Sequence, residues 1–454
     1  MAEIIPFRAL RYNPQSVPDL KLVVAPPYDV ISAEAQERYH ARHPHNVVRL
    51  ILAKEVGGDD SGRDRYERAG RTFAAWQAGG ILTRDLEPAI YLSEQEFTLG
   101  EGHRLRRRGF MAMVRLAGYD EKIILPHERT FAKYREDRLR LMRACPANLD
   151  PVFGFYPGPD DPVRAIFDRW METDPQVHFI DEDGIRHRMW ILREPAAVMD
   201  LARAFRDRPV IIADGHHRYE TALNFRDERR ARDTAPPAVQ RRRLDNFVLM
   251  YLVSAHDPGL VILPTHRVIR QRLALPTDAL RQALGRYFRM EVVPLESGNP
   301  LMSLRIALAD IHRRRRDAVA FGLYAGGEEL LVLELQDHAA VRGVVAVGRS
   351  PEYARLDVAI LHELVIERIL GIQPSGQADD SIQYTRDEGQ ALEAVTSGEA
   401  HLVLFQNPPR VEQVQAVALA GERMPQKSTF FYPKVLSGLV INPLDPAELA
   451  PALT

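Results

Sequence analysis

Short apolar runs, broken by prolines, glycines and charged stretches, divide the chain into many brief elements whose periods alternate between that of a strand and that of a helix. The first 50 residues read as short extended pieces joined by proline turns, "PFRALRYNP" and "KLVVAPPYDVIS", then a helical stretch and "HNVVRLILA". Residues 63–79 carry a helical pattern. "PAIYLSEQEFTLGEGHRLRRRGFMAMVRLA" predicts a long hairpin turning near Gly100 and Gly102. Its triplet Arg106, Arg107 and Arg108 is expected on the solvated face of the second strand, without a function.

"KIILPHERTFAKYREDRLRLMRA" passes from an extended run to a helix, with His127 and Glu128 at the changeover. "DPVFGFYPG" and "RMWILREP" read as strands, and residues 196–207 as a helix. "RPVIIAD" has the β-branched density of a buried strand, and "RYETALNFRDERRARD" sets Tyr219, Ala222 and Leu223 at helical spacing. Gly215 therefore falls at a strand-to-helix turn. The arginine-rich "RDTAPPAVQRRRLD", with Pro236 and Pro237, is the expected domain boundary. Beyond it, "NFVLMYLVSA" and "GLVILPTHRVI" are strand-like, and helices and strands alternate. In "LDVAILHELVIERILGI", Val358, Leu361, Leu364, Val365 and Ile369 form one apolar stripe, expected to be core. There is no repeat of fixed period and no low-complexity tract.

These elements predict an α+β protein of two domains. Residues 1–235 would form the first, and residues 245–454 a C-terminal α/β region. At 454 residues, 45% hydrophobic and 27% charged, the chain can bury a large core. A net charge of -2 gives no global positive field for nucleic acid. The single cysteine, Cys145, allows no internal disulfide and no thiolate metal cluster. No stretch approaches the length of a membrane span, and the N-terminus lacks the pattern of an export signal. A cytoplasmic setting is expected.

Chemistry concentrates in "ADGHHRYETAL". Backbone N–H groups at a helix start lack intrahelical partners and carry partial positive charge, which favours an anion such as phosphate. His216, His217 and Arg218 would add side-chain donors there, and Asp214 could act as base or metal ligand, or simply cap the helix. In "LPHERTFAKYREDR", His127 and Glu128 follow an apolar run. A carboxylate among positive groups suits a general base or a Mg²⁺ ligand, although a cap with surface salt bridges accounts for it equally well. "MPQKSTFFYPKVLSGLVI" offers Lys427, Ser428, Thr429, Tyr432 and Lys434 in a proline-bounded loop without the glycines of a P-loop. "VAPPYDVIS" fixes Tyr28 and Asp29 behind a double proline, as a ligand loop or as a rigid turn. His266 is expected to be an ordinary buried or surface histidine.

Taken in order, "PFRALRYNP", "APPYDVIS", "LPHERT", "ADGHHRYETAL" and "MPQKSTFFYPKVLSGLV" resemble the domain of unknown function 1015 family over nearly the whole chain. The "DGHHR" turn is also similar to that of the ParB and sulfiredoxin superfamily, particularly its free serine kinases. That resemblance implies a ParB/sulfiredoxin-like mixed core with a large insertion between "RALRYNP" and the turn. It implies phosphoryl transfer from ATP or ADP, with Mg²⁺, to a small hydroxylated metabolite, with free L-serine as the specific candidate, or removal of phosphate from phosphoserine in reverse. Gly215, His216, His217, Arg218, Lys427, Ser428 and Thr429 would bind the nucleotide phosphates. Only Asp214 to Arg218 match the turn by position; from their chemistry, Asp214, Glu128 and His127 would be catalytic, with Asp214 and Glu128 on the metal, and Tyr28, Asp29, Tyr432 and Lys434 would meet the substrate. The competing readings are a metal-dependent hydrolase using His127, Glu128, Asp214 and His216, and a ParB-like nucleotide switch or DNA-binding adaptor without turnover.

Overall fold

The computed structural model describes residues 2–56, 64–100, 102–158, 162–206, 208–273, 276–314, 318–341, 343–373 and 381–451. Residue 63, the first of the predicted helix 63–79, lies outside them, and the helix runs Asp64–Ala78. By contacts the chain forms two compact units. The first comprises Met1–Pro126, Thr130–Val261 and Pro433–Thr454; the second comprises His127–Arg129 and Ile262–Tyr432. This division falls later than the boundary expected in residues 232–245. Strand Phe247–Ser254, just after the arginine-rich segment, lies inside the first unit's large sheet, between Val152–Tyr156 and His103–Arg115. All eight of its residues are buried, so it cannot leave that sheet without exposing a core strand.

The first unit is mixed α+β. Its sheet runs, edge to edge, through Ile124–Leu125, Val210–Asp214, Val152–Tyr156, Phe247–Ser254, His103–Arg115, Ile90–Leu99, Arg186–Leu192 and Val177–Ile180, and Ile4–Ile5 also pairs with His103–Arg115. The predicted hairpin is present as Ile90–Leu99 and His103–Arg115. Packed on the sheet, Ile212, Tyr219, Ala222, Met250, Leu252 and Phe205 share one apolar core. A second core joins Leu10, Val47, Phe73, Trp76 and Leu141 to Ile441. Ile441 belongs to the C-terminal segment, which returns to this unit: Asn442–Pro443 pairs with Ala147–Asn148, and Leu10 bridges Ile441.

The arginine triplet of the hairpin is not all on the solvated face that the sequence predicts. Arg106 and Arg108 do face outward, paired with Glu96 and Glu94, but Arg107 is fully buried. The strand period of two sends its side chain to the opposite face, where its cross-strand partner is the neutral Gln95. "HNVVRLILA" likewise contains a short helix, Val48–Ile51, whose Val48, Leu50 and Ile51 are buried.

The second unit is built on an antiparallel sheet in the order Phe288–Pro294, Glu329–Leu335, Ala320–Tyr324, Leu402–Gln406, His266–Ile269 and Ile382–Thr385. Its core includes Val268, Leu304, Ile311, Val332, Leu392 and Phe405. The apolar stripe after Asp357 winds as a π-helix over Ile360–Ile369, with Leu361, Leu364 and Val365 buried and Ile369 only half-buried. Among the described residues no helix is long and apolar enough to cross a membrane.

Candidate functional site: the Asp214 turn

The strand Val210–Asp214 delivers Asp214 through a register shift. Ile212 pairs with Gly154, but Asp214 pairs with Phe153, so a bulge at Ala213 re-aims the last residue of the strand. Gly215 follows with φ 89°, a left-handed conformation that costs glycine nothing. A side chain there would also lack room, since a Cβ would sit 2.8 Å from the Arg218 guanidinium. Helix His216–Arg230 then begins at once, with no side-chain cap, so Asp214 is not a capping residue. Tyr219 and Ala222 are buried and Leu223 packs against the same core, which fixes the helix on its sheet. The Tyr219 hydroxyl donates to the Ala117 carbonyl at 2.8 Å.

Asp214 instead joins two cations. Lys434 Nζ donates to Oδ1 at 2.7 Å and Arg218 Nη2 donates to Oδ2 at 2.6 Å. Burial opposes ionisation of this carboxyl, but Lys434, Arg218 and His216 outweigh it and hold the group well below the usual carboxylate range. Arg218 is itself buried, with Nη1 donating to the Pro151 carbonyl. Burial disfavours its charge, yet Asp214, Asp29, Asp150 and Tyr28 more than compensate and raise its pKa.

The structure thus gathers Tyr28, Asp29, Asp214, His216, Arg218 and Lys434 into one electrostatic neighbourhood of the first unit. Tyr28 lies in the short turn Tyr28–Val30, and the Arg138 guanidinium sits over its ring at 3.9 Å. Burial pushes the Tyr28 hydroxyl pKa up.

The two histidines diverge. His216 is buried beside Asp214. His217 instead accepts the Phe131 N–H on Nε2 at 3.0 Å, stacks on the Phe131 ring with an interplanar angle of 13°, and meets Tyr134 edge-on. Accepting at Nε2 leaves the proton of the neutral ring on Nδ1.

The other sequence candidates belong to the second unit: His127, Glu128, Lys427, Ser428, Thr429 and Tyr432. There His127 Nε2 and Thr429 Oγ1 are 2.8 Å apart, and Ser428, fully buried, donates to the Pro425 carbonyl. Lys427 adopts φ 54°. His266 is buried, and burial lowers its pKa to about 4. Among the described residues no group of three His, Cys, Asp or Glu side chains could hold a metal ion by itself.

Sequence reasoning gave no role to Arg107, Gln95 or Asp150, and gave Arg138 only a place among the positive groups on the helix after Glu128. Asp150 is a carboxyl whose pKa burial raises, opposed by Arg218 and the Ser437 hydroxyl. For Gln95 and Arg107 a signal existed in the alignment of "EQE" at 94–96 with "RRR" at 106–108, which pairs acid with base on one face and leaves an amide opposite an arginine on the other. For Asp150 no local pattern distinguishes it from a surface residue.

No curated protein matches the chain. Among solved structures, a free serine kinase in complex with AMP is 13% identical, with 68% of this chain and 83% of that one covered and a TM-score of 0.31. A conserved hypothetical protein from Pyrococcus furiosus is 12% identical, with 68% and 87% covered and a TM-score of 0.30. SbnI with a C-terminal truncation, from Staphylococcus aureus, is 12% identical, with 74% and 87% covered and a TM-score of 0.33. The model of the protein family of unknown function DUF1015 matches residues 4–359, and the chain belongs to that family.

Proposed function

We propose that the Asp214 turn binds the phosphates of ATP or ADP and that the protein is a nucleotide-dependent phosphotransferase, acting on a small hydroxylated metabolite with L-serine, or phosphoserine in reverse, as the specific candidate. The observation that carries this reading is the Lys434–Asp214–Arg218 ion-pair triad at the start of helix His216–Arg230, with Arg218 buried and Asp214 and Lys434 half-buried. A helix start offers N–H donors and partial positive charge, and Lys434 and the Arg218 guanidinium add full charge beside it. Phosphoryl transfer asks the protein chiefly for such positioning and charge. The motif strand, positive-φ glycine and helix support assigning the first unit's core to the ParB and sulfiredoxin superfamily.

Asp214, held ionised, suits a Mg²⁺ ligand better than a general base, because two cations stabilise its charged form. One carboxylate is enough for a Mg²⁺ that keeps water and nucleotide oxygens as its other ligands, and the ion would neutralise charge on the moving phosphate. Tyr28 and Asp29 are our candidates for contacting the acceptor metabolite.

Incubation with ATP, ADP or pyrophosphate and a panel of hydroxylated metabolites, followed by phosphorus NMR, tests the reading. A phosphorylated product that depends on Asp214 is expected, with Asp214→Asn lowering turnover about 100-fold while the folded fraction still binds nucleotide. Absence of nucleotide binding by the folded wild-type chain in calorimetry would overturn it.

A further inference from the structure

Lys434 reaches Asp214 from a segment 220 residues away in sequence, so something must fix its backbone. Two buried side chains of the hairpin do so. Arg107 Nη2 donates to the Pro433 carbonyl at 2.5 Å, and Gln95 Nε2 donates to the Lys434 carbonyl at 3.2 Å. The two are tied to each other, with Arg107 Nε donating to Gln95 Oε1 at 3.1 Å. Consecutive carbonyls are thereby gripped by one amide–guanidinium pair. The guanidinium is sandwiched among rings, 4.7 Å from the Phe153 centroid and 5.5 Å from that of Tyr251. Phe153 is the residue that faces Asp214 across the bulge. The grip on Lys434 and the placement of Asp214 therefore share one patch of sheet.

The arrangement is costly for a purely structural device. Among the described residues Arg107 has no carboxylate within ion-pair distance, and its charge is fully buried. Asp257 and Asp214 support the charge only from beyond that distance, and a buried cation without a close counter-charge destabilises a fold relative to an apolar side chain of the same volume. What the guanidinium supplies that an apolar residue cannot is its planar fork of donors, here spent on Gln95 and on the carbonyl before Lys434.

We propose that Gln95 and Arg107 are positioning residues that hold the main chain at 433–434 so that the Lys434 ammonium is set on Asp214. Their effect on ligand binding rests on the phosphate-site reading above; their effect on the Lys434–Asp214 pair does not.

Two measurements separate these. The first is a double-mutant cycle between Lys434→Met and Asp214→Asn, read in unfolding free energy, in the wild-type background and again with Arg107→Met. Positioning predicts that the coupling falls to less than half when Arg107 is replaced; an unchanged coupling overturns the proposal, whatever the protein binds. The second is ADP affinity. Arg107→Met and Gln95→Leu should each weaken it about 10-fold, in line with the loss of one charge-assisted contact, and neither should weaken it further once Lys434 is already Met. Additive losses in the Lys434→Met background would mean that Arg107 acts on the fold and not through Lys434. If wild-type protein binds no ADP, the phosphate-site reading fails while the first cycle still decides the positioning role. Should Arg107→Met not fold, Arg107→Lys, which keeps the charge but loses the fork, and Gln95→Leu enter the same cycle.

Discussion

The Asp214 turn of the first unit and the Lys427 loop of the second each combine a left-handed residue with a buried arginine, but they balance the charge differently. At Asp214 the arginine meets a carboxylate: Arg218 and Lys434 share it, and Gly215 takes the left-handed conformation at no steric cost. At Lys427 the arginine is Arg267, wholly buried and donating to the carbonyls of Thr265 and Lys427, with no carboxylate partner among the described residues. Burial lowers its pKa to about 10. The left-handed residue there is Lys427 itself, which carries a side chain. One region stores opposite charges close together, and the other stores an unmatched cation and a strained backbone. Electrostatics that must act on a ligand are better prepared in the first.

The largest effect that would break this comparison is in the two arginines. Arg218→Met removes the buried cation of the ion-pair set and leaves Asp29, Asp150 and part of Asp214 without their common cation. Loss of one partner of a buried pair costs about 3–5 kcal/mol. Arg267→Met removes an unmatched charge, and the relief offsets most of the two lost carbonyl contacts, for a net loss of about 1 kcal/mol. Denaturant unfolding measures both; equal losses would show that the two charges are balanced alike.

The left-handed residues sharpen the same contrast with smaller numbers. Gly215→Ala must place a Cβ against the Arg218 guanidinium in an unfavourable backbone region, for a loss of about 1–3 kcal/mol. Lys427→Gly should move the other way, relieving about 1 kcal/mol of strain less the added chain entropy of glycine. Thermal unfolding should therefore fall for the first variant and hold or rise slightly for the second.

Much of this architecture was legible in the sequence, for reasons that differ by level. The strand at 210–214, the turn at Gly215 and the helix after it follow from β-branched density, one glycine and helical spacing, all of them local. The partners of Asp214 were not legible. Lys434 stood out only as one residue of a proline-bounded loop, and its pairing with Asp214 depends on the C-terminal segment returning to the first unit. His216 and His217 were both cast as phosphate ligands; a helix turns successive side chains by about 100°, and the partner that His217 meets, Phe131, was not legible. Arg107 was hidden inside a charged triplet, where composition spoke for the surface and only strand alternation spoke for burial.

The smallest expected effect concerns acid. Burial raises the Asp257 carboxyl of the first unit to about 6, against the Gly259 and Arg108 N–H groups and the Arg107 and Arg108 charges. The native state then keeps a proton that the unfolded chain has released, so this contribution to stability is present below about pH 4 and lost as pH rises through about 6. His266 of the second unit has the opposite sense. Its native pKa of about 4 lies below the ordinary value, because burial and the Arg267 charge disfavour protonation. The unfolded chain takes up a proton that the native state refuses, so stability present above about pH 6.5 is lost as pH falls toward 4. Between pH 4 and 6.5 the two slopes oppose, and their net contribution to the wild-type unfolding free energy should change by no more than about 1 kcal/mol. Single variants unmask them: relative to wild type, Asp257→Asn should become more stable as pH rises across this window, whereas His266→Gln should become less so. Denaturant unfolding of the three proteins at pH 4.5 and 6.5 measures these differences, and parallel pH profiles would show that neither buried group is linked to folding.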